Sequence, residues 1–182
     1  MMKKLELHAT TILAVAKDGK VALGSDGQVT LDKTIMKHKT KKVRKLKGGK
    51  VVAGFAGSAA DGLALFEKFE AKLEEFRGNV LRASVELAKE WRMDKAMRRL
   101  EAILIVASKE NLLLISGTGD VIEPDDNVLS TGSGSPYAQA AAKAMIKHSP
   151  NMTAEEIVRE GLTIASEIDI YTNNNFTIEV LE

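Results

Sequence analysis

The sequence predicts an α+β protein in which two sheets pack face to face and a pair of helices covers each outer face, a four-layer αββα sandwich. Strand-like and helix-like segments alternate in blocks of several, which favours antiparallel sheets with helices on the outside. The segments ILIVA and LLLI, within residues 103–115, are apolar on both faces. Strands of that kind are expected between two covering layers.

The first strands are predicted from apolar runs and turn signals. TTILAVA (residues 10–16) and VALGSD (21–26) flank the tetrapeptide KDGK, whose Asp-Gly pair is a strong hairpin signal. The basic segment KTKKVRKL (39–46) leads through two glycines into KVVAGFAG (50–57), which indicates a second hairpin. FTIEVL, close to the end of the sequence, is predicted to be the last strand.

Four helices are predicted where apolar residues recur every three or four positions. Ser58 and Asp61 resemble a capping box at the start of the first helix, and Thr153 with Glu156 forms a complete one at the start of the fourth. The predicted helices cover residues 58–76, 80–100, 137–147 and 153–168.

The composition describes one ordinary globular domain, predicted to span residues 10–182 after a short leader, residues 1–9. Apolar residues make up 45% and charged residues 28% of the 182 residues, and the net charge of +1 gives no overall attraction to nucleic acid or anionic membranes. The absence of cysteine excludes disulfides and thiolate catalysis. No secretory signal or membrane span is recognisable, so a cytoplasmic protein is expected.

Common catalytic and metal-binding motifs are missing. The three histidines, His8, His38 and His148, lie far apart and show no metal-ligand spacing. The sequence GSGS at residues 132–135 precedes a helix and could hold an anion, but an ordinary helix entry is the simpler interpretation.

A basic run is the most visible local feature: nine Lys or Arg residues lie between Lys33 and Lys50. It allows a nucleic-acid-binding module as an alternative function, although no aromatic residues for base stacking are interleaved. Strand alternation would send some lysines of KTKKVRKL to the inner face of a sheet. A lysine there, beside a carboxylate, would differ from its solvated neighbours.

Thr10 is a candidate nucleophile if the bond from Ala9 to Thr10 is cut. The residue would then carry a hydroxyl and a free α-amine, whose ordinary pKa of about 7.7–8 lets it accept the hydroxyl proton near neutral pH. Such chemistry needs a nearby ammonium group, a carboxylate that holds it, and backbone N–H groups facing the oxyanion. Thr11 is the less favoured candidate for the nucleophile, because its side chain is expected to point to the other face of the strand.

The sequence resembles the HslV (ClpQ) family of proteasome-like threonine peptidases from Thr10 onwards. The matching blocks are TTILAV, GSDGQVTL, KKVRKL, AGFAGSAAD, ELAKEWR, GTGDVIEP, GSGSPYAQAAAKA and IYTNNNFTIE. The resemblance implies an N-terminal nucleophile hydrolase fold, which has the αββα architecture inferred above.

The resemblance also implies a set of catalytic residues. Thr10 would be the nucleophile, with Asp26 and Lys42 as the charged pair beside it. Ser133 would form a hydrogen bond near the threonine amine, and Gly54 would supply an N–H to the oxyanion site. Because nine residues precede Thr10, the chain would be a zymogen until they are removed.

A monovalent cation site, normally attributed to sodium, is a further expectation from the resemblance. The family pattern Gly-x-x-Cys-x-x-Thr aligns with Ser166, Asp169 and Thr172, so two of the three side chains differ. The site can survive these changes if backbone carbonyls supply the ligands. No organic cofactor is expected.

The expected assembly is a dodecamer of two stacked six-membered rings that encloses the catalytic sites. A hexameric AAA+ ATPase, HslU (ClpY), would activate it allosterically and feed it unfolded protein, since this sequence has no nucleotide-binding loop of its own. No nucleic-acid or membrane partner is expected. A ring subunit of the same fold that never exposes Thr10, and therefore lacks peptidase activity, is the other alternative.

Overall fold

A computed structural model of the chain describes residues 10–182 together with the backbone of residues 7 and 8. The predicted leader, residues 1–9, otherwise lies outside the described residues. The strands in chain order are β1 (Leu7–His8), β2 (Thr11–Lys17), β3 (Lys20–Ser25), β4 (Val29–Leu31), β5 (Thr34–Lys37), β6 (Val43–Leu46), β7 (Val51–Gly57), β8 (Ala102–Ala107), β9 (Leu112–Ser116), β10 (Val121–Ile122), β11 (Val128–Gly132) and β12 (Thr177–Leu181). The helices are α1 (Ala59–Glu75), α2 (Val80–Met93), α3 (Ser135–His148) and α4 (Ala154–Ile168).

Two antiparallel sheets form the two inner layers of the predicted αββα sandwich. The first has the strand order β11-β2-β3-β12, and the second has the order β10-β9-β8-β7-β6. The first hairpin forms as expected: Lys17 pairs with Lys20, while Asp18 (φ 52°) and Gly19 (φ 74°) supply the left-handed turn. The predicted fold class is confirmed.

Apolar side chains fill three layers, one between the sheets and one under each helix pair. Ile12 and Leu23 lie in the middle layer with Val52 and Ile105 from the facing sheet. Side chains of α1 and α2 pack with the outer face of the five-stranded sheet, and those of α3 and α4 pack with the outer face of the other sheet. The two faces of a strand such as β2 are therefore both apolar because both are covered.

The helix ends follow local capping chemistry. Thr153 and Glu156 form the predicted capping box, and the Ser58 hydroxyl accepts the Asp61 N–H at 3.4 Å. The prediction that the second helix reaches Leu100 is wrong, because α2 ends at Met93. Asp94 is extended there, and its carboxylate accepts the N–H groups of the next short turn.

A third, three-stranded sheet with the order β1-β4-β5 lies beside the sandwich and was not predicted. Leu7 and His8 pair with Leu31 and Thr30 of β4, so two residues of the leader extend this sheet. None of the described helices is long and apolar enough to cross a membrane.

Candidate active site

The carboxylate of Asp26 organises a buried group at one end of the four-stranded sheet. Asp26 follows β3, and its Oδ1 accepts the Thr11 N–H at 2.9 Å. Its Oδ2 accepts the N–H groups of Gln28 at 2.8 Å and Asn173 at 3.3 Å. A carboxylate that accepts several N–H groups is held in one orientation.

Lys42 stands immediately before β6 and completes a buried ion pair. Its Nζ lies 3.5 Å from Asp26 Oδ1 and donates to the Gln28 carbonyl at 2.6 Å. Burial lowers the pKa of Lys42 to about 8, against the opposing effect of the Asp26 charge. Lys42 is the buried lysine of KTKKVRKL, whereas Lys39, Lys41 and Lys45 are exposed.

Thr10 lies next to this pair in a strained and buried position. Its φ is 97°, a left-handed value that is rare for a β-branched residue, and its side chain is fully buried. Its Oγ1 has no hydrogen-bond partner among the described residues. Because buried hydroxyls are usually hydrogen-bonded, an unpartnered one marks a candidate functional site.

Gly132 makes room for the Thr10 backbone. It pairs with Thr11 at the end of β11, and its φ is 102°. A Cβ atom at this position would lie 1.7 Å from the Thr10 carbonyl oxygen. Only glycine fits both the conformation and the space.

A chain of hydroxyl groups fixes the position of Thr11. The Gly134 N–H donates to Thr11 Oγ1 at 2.8 Å, and Thr11 Oγ1 lies 2.7 Å from Thr172 Oγ1. Thr172 donates to Asp169 Oδ2, which also accepts the Ser133 hydroxyl at 2.6 Å. Since each hydroxyl has one proton, the Thr11 hydroxyl donates to Thr172.

Ser133 is linked to Thr11 through Asp169 and Thr172. The resemblance implies a hydrogen bond near the threonine amine, whereas here the exposed Ser133 hydroxyl binds Asp169. Asp169, assigned from the sequence to a cation site, instead connects Ser133 to Thr172. A polar residue three positions before Thr172 was the only sequence signal for this contact.

The side chains at the expected cation site do not form a ligand set. Ser166 Oγ donates to the Thr163 carbonyl within α4. The Asp169 carboxylate accepts two hydroxyl protons, and the Asp169 carbonyl accepts the Thr172 N–H at 3.1 Å. The described residues also contain no cluster of three or more His, Cys, Asp or Glu side chains placed to bind a metal. The sodium site expected at Ser166, Asp169 and Thr172, with backbone carbonyls as its ligands, stays a prediction.

The register of β7 turns the Gly54 N–H away from the site. Phe55 N–H donates to the Lys42 carbonyl at 3.1 Å, and Ser58 N–H donates to the Glu101 carbonyl at 2.9 Å on the other side of β7. Because N–H directions alternate along a strand, Gly54 N–H faces β8 and Gly57 N–H faces the side where Lys42 lies.

The Gly57 N–H points to the side of β7 on which Lys42 lies, where the Gly54 N–H was expected to point. The pairing of β6 with β7 ends at Val43 and Gly54, so β6 places no residue opposite Gly57. Gly54 instead allows the sheets to approach, since a Cβ there would lie 2.8 Å from Leu23 and 3.1 Å from Ile12. The oxyanion assignment to Gly54 is corrected accordingly.

The proteins that this chain resembles agree with the geometry of the site. A family model described as proteasome subunit matches residues 6–181. The chain is 61% identical to the ATP-dependent protease subunit HslV of Aquifex aeolicus (strain VF5) over 175 residues, which is 96% of this chain and 99% of that protein. The chain belongs to the HslV family of proteasome-like peptidases. It is therefore a threonine-type peptidase.

Further members and structures agree with this membership. The HslV subunit of Oceanobacillus iheyensis is 58% identical, with 98% of this chain and 99% of that protein covered. The crystal structure of eukaryotic HslV from Trypanosoma brucei has a TM-score of 0.90 at 48% identity and covers 94% of this chain and 99% of that one. Thiobacillus denitrificans BPH, at 22% identity and a TM-score of 0.70, shares the fold.

Proposed function

We propose that this chain is the peptidase subunit of an ATP-dependent protease and that Thr10 becomes its nucleophile once residues 1–9 are removed. The observation that carries this proposal is the buried Lys42–Asp26 pair, whose carboxylate accepts the N–H of Thr11 at 2.9 Å, directly beside Thr10. In the intact chain the Thr10 nitrogen is an amide and cannot act as a base. Removal of the leader converts it to an amine.

The free amine of Thr10 takes the proton from its own Oγ1, and the oxygen attacks the carbonyl carbon of a peptide bond. The tetrahedral intermediate collapses, the peptide C–N bond breaks, and the proton passes to the leaving amine. An ester between Thr10 and the acyl half of the substrate remains. Water, deprotonated by the Thr10 amine, hydrolyses this ester and regenerates the hydroxyl.

Lys42 contributes a positive charge beside these steps. Below its pKa of about 8 the ammonium is present, disfavours protonation of the neighbouring Thr10 amine and stabilises the developing negative charge. Asp26 holds the ammonium in place. The N–H of Gly57 is proposed as an oxyanion donor, because it faces the Lys42 side of β7.

The proposed assembly is the double ring of two hexamers, capped by the hexameric ATPase HslU (ClpY), which unfolds protein substrates. The relatives are subunits of ATP-dependent proteases, which supports an ATPase partner. A cytoplasmic location and a sodium ion bound by backbone carbonyls near Asp169 complete the proposal. The catalytic steps above do not use the ion.

Intact mass and N-terminal sequencing, combined with peptidase assays, test the Thr10 mechanism. The active protein is expected to begin at Thr10, and Thr10→Ala is expected to have no activity and to retain residues 1–9 if cleavage is autocatalytic. Thr11→Ser serves as the matched control at the neighbouring position. An active chain that still carries its first residues would contradict the mechanism.

A further inference from the structure

A basic groove of about 1020 Å³ lies at the end of the sandwich away from Thr10. It forms where the β6–β7, α1–α2 and β8–β9 connections meet the end of β12. Its basic side chains are Lys45, Lys47, Lys50, Arg77 and Lys109, against the two carboxylates of Glu110 and Glu182. The groove therefore has an excess of positive charge.

Two of the groove's cations form ion pairs and three do not, among the residues that the structure describes. Lys47 lies 2.6 Å from Glu74, and Lys45 lies 3.8 Å from Glu179. Within the described part of the chain, no carboxylate oxygen comes within 4 Å of Lys50, Arg77 or Lys109. All three side chains are exposed.

An acidic loop, residues 123–127, joins β10 to β11. Glu123, Asp125 and Asp126 are exposed there. Asp126 pairs with Lys143 at 2.7 Å, whereas Glu123 and Asp125 have no cationic partner within 4 Å among the described residues. The Asn127 carbonyl accepts the Ala16 N–H at 3.0 Å, which fixes the loop at the far end of β2.

The groove and the loop lie on opposite edges of the same end of the sandwich. β6 and β12, beside the groove, are the last strands at one edge of the two sheets, while β10 and β11, which carry the loop, are the last strands at the other edge. The two charged surfaces therefore cannot meet within one chain. They can meet between neighbouring copies that face the same way.

We propose that the acidic loop of one copy binds in the basic groove of the next, and that this contact closes the ring. A contact between two different surfaces is heterologous, and it gives a closed ring when the rotation from copy to copy returns to the start. Complementary charge on the two surfaces would fix which edge meets which. The inference rests on the ring assembly proposed above and names the surfaces that form it.

A nucleic acid is the competing occupant of the basic groove. Its lining contains no aromatic side chain on which a base could stack. The overall net charge of +1 also gives no long-range attraction to a polyanion. The unpaired carboxylates of the loop, in contrast, supply the opposite charge on a surface present in every copy.

Charge exchange tests the contact directly. The groove variant is Lys50→Glu with Lys109→Glu, and the loop variant is Glu123→Lys with Asp125→Lys. In each variant alone, like charges face each other, and the protein concentration at which half of the chains are in rings is expected to rise about tenfold or more. Native mass spectrometry and sedimentation velocity measure this concentration.

The two variants should restore assembly together. When mixed, the reversed groove of one chain meets the reversed loop of the other, and an alternating ring with an even number of copies can close. A single chain with all four substitutions should assemble alone, because its groove and loop have exchanged charges. Lys95→Glu with Arg98→Glu is the matched control and should assemble like the unchanged chain, while thermal unfolding checks that every variant is folded.

Failure of the mixture and of the four-substitution chain to form rings would overturn the proposal, as would equal dissociation of the control. Salt-sensitive binding of single-stranded DNA by the unchanged chain, lost in the groove variant with its rings intact, would assign the groove to a nucleic acid instead. These measurements do not depend on peptide cleavage. They can therefore disprove the contact between loop and groove while the proposed chemistry at Thr10 still holds.

Discussion

The Nζ of Lys42 lies 3.5 Å from Asp26 Oδ1, and neither side chain is exposed to solvent. A buried charge is costly unless it is paired, so each member of the pair depends on the other. The carboxylate also accepts the Thr11 N–H and thereby ties the pair to the candidate nucleophile. Stability and catalysis are coupled at this point of the fold.

Asp26→Asn should reduce both activity and stability. The amide keeps the shape of the side chain but leaves the Lys42 ammonium without its counter-charge, which costs about 3 kcal/mol or more. We expect kcat/KM on a short peptide to fall at least about a hundredfold, since Lys42 would be both less charged and less well placed. The exposed Asp18→Asn is the control, and equal behaviour of the two variants would contradict this prediction.

Activity should decline above a pH of about 8. Lys42, with its pKa lowered to about 8 by burial, is charged below that pH and neutral above it. A reaction that needs the ammonium therefore loses rate on the alkaline side. The pH profile of kcat/KM measures this limb, which should move to lower pH in Asp26→Asn because the carboxylate raises the pKa of Lys42. A profile that stays flat from pH 7 to 10 would remove the ammonium from the mechanism.

The stability of the fold should rise between pH 8 and 10.5 because of the same lysine. In the unfolded chain Lys42 keeps its ordinary pKa of 10.5, so over this window the unfolded state binds a proton that the folded state does not. The free energy of unfolding is expected to gain up to about 3 kcal/mol with increasing pH. Denaturant unfolding at several pH values, compared with Lys42→Met, isolates this contribution; identical slopes for the two proteins would disprove it.

Gly132→Ala should be far more damaging than Gly19→Ala. Both glycines have positive φ, so both substitutions introduce backbone strain of about 1 kcal/mol. A Cβ added at Gly19 has no atom within 4 Å. A Cβ added at Gly132 would overlap the Thr10 carbonyl oxygen. We expect Gly132→Ala to lower the midpoint temperature of unfolding more strongly and to abolish peptide cleavage. Similar midpoints and activities would show that the close approach is unimportant.

Thr11→Val should impair catalysis, and Thr11→Ser should retain it. Valine has the shape of threonine but cannot accept the Gly134 N–H or donate to Thr172, and unsatisfied buried groups cost about 1–3 kcal/mol. The expected result is a lower kcat with little change in KM, because Thr11 positions the nucleophile rather than binding substrate. Full activity of Thr11→Val would show that the hydroxyl chain does not matter for cleavage.

Local chemistry predicted the parts of the fold that depend on few neighbouring residues. The Asp-Gly hairpin and the Thr153 capping box both follow from spacing along a strand or helix, whereas the choice of Lys42 among the lysines of KTKKVRKL came from the family resemblance. The end of α2 was missed although its signal is local, because Asp94 favours a turn more strongly than the apolar period favours a helix.

Long-range contacts within the site could not be read from spacing. Ser133 and Asp169 are 36 positions apart, and their hydrogen bond depends on how α4 docks on the sheet. The correction from Gly54 to Gly57 depends on the register of β7 against β6 and β8, which a one-residue change would invert.

The strand formed by Leu7 and His8 has a consequence for maturation. This strand occupies one edge of β4, and it belongs to the segment whose removal we propose as the step that activates Thr10. Its departure removes one strand from the small sheet and uncovers a row of backbone N–H and C=O groups on Thr30 and Leu31. An uncovered edge of this kind accepts any extended polypeptide irrespective of its side chains. The cleavage that frees the Thr10 amine would thus also free the edge of β4, where an extended substrate chain could pair.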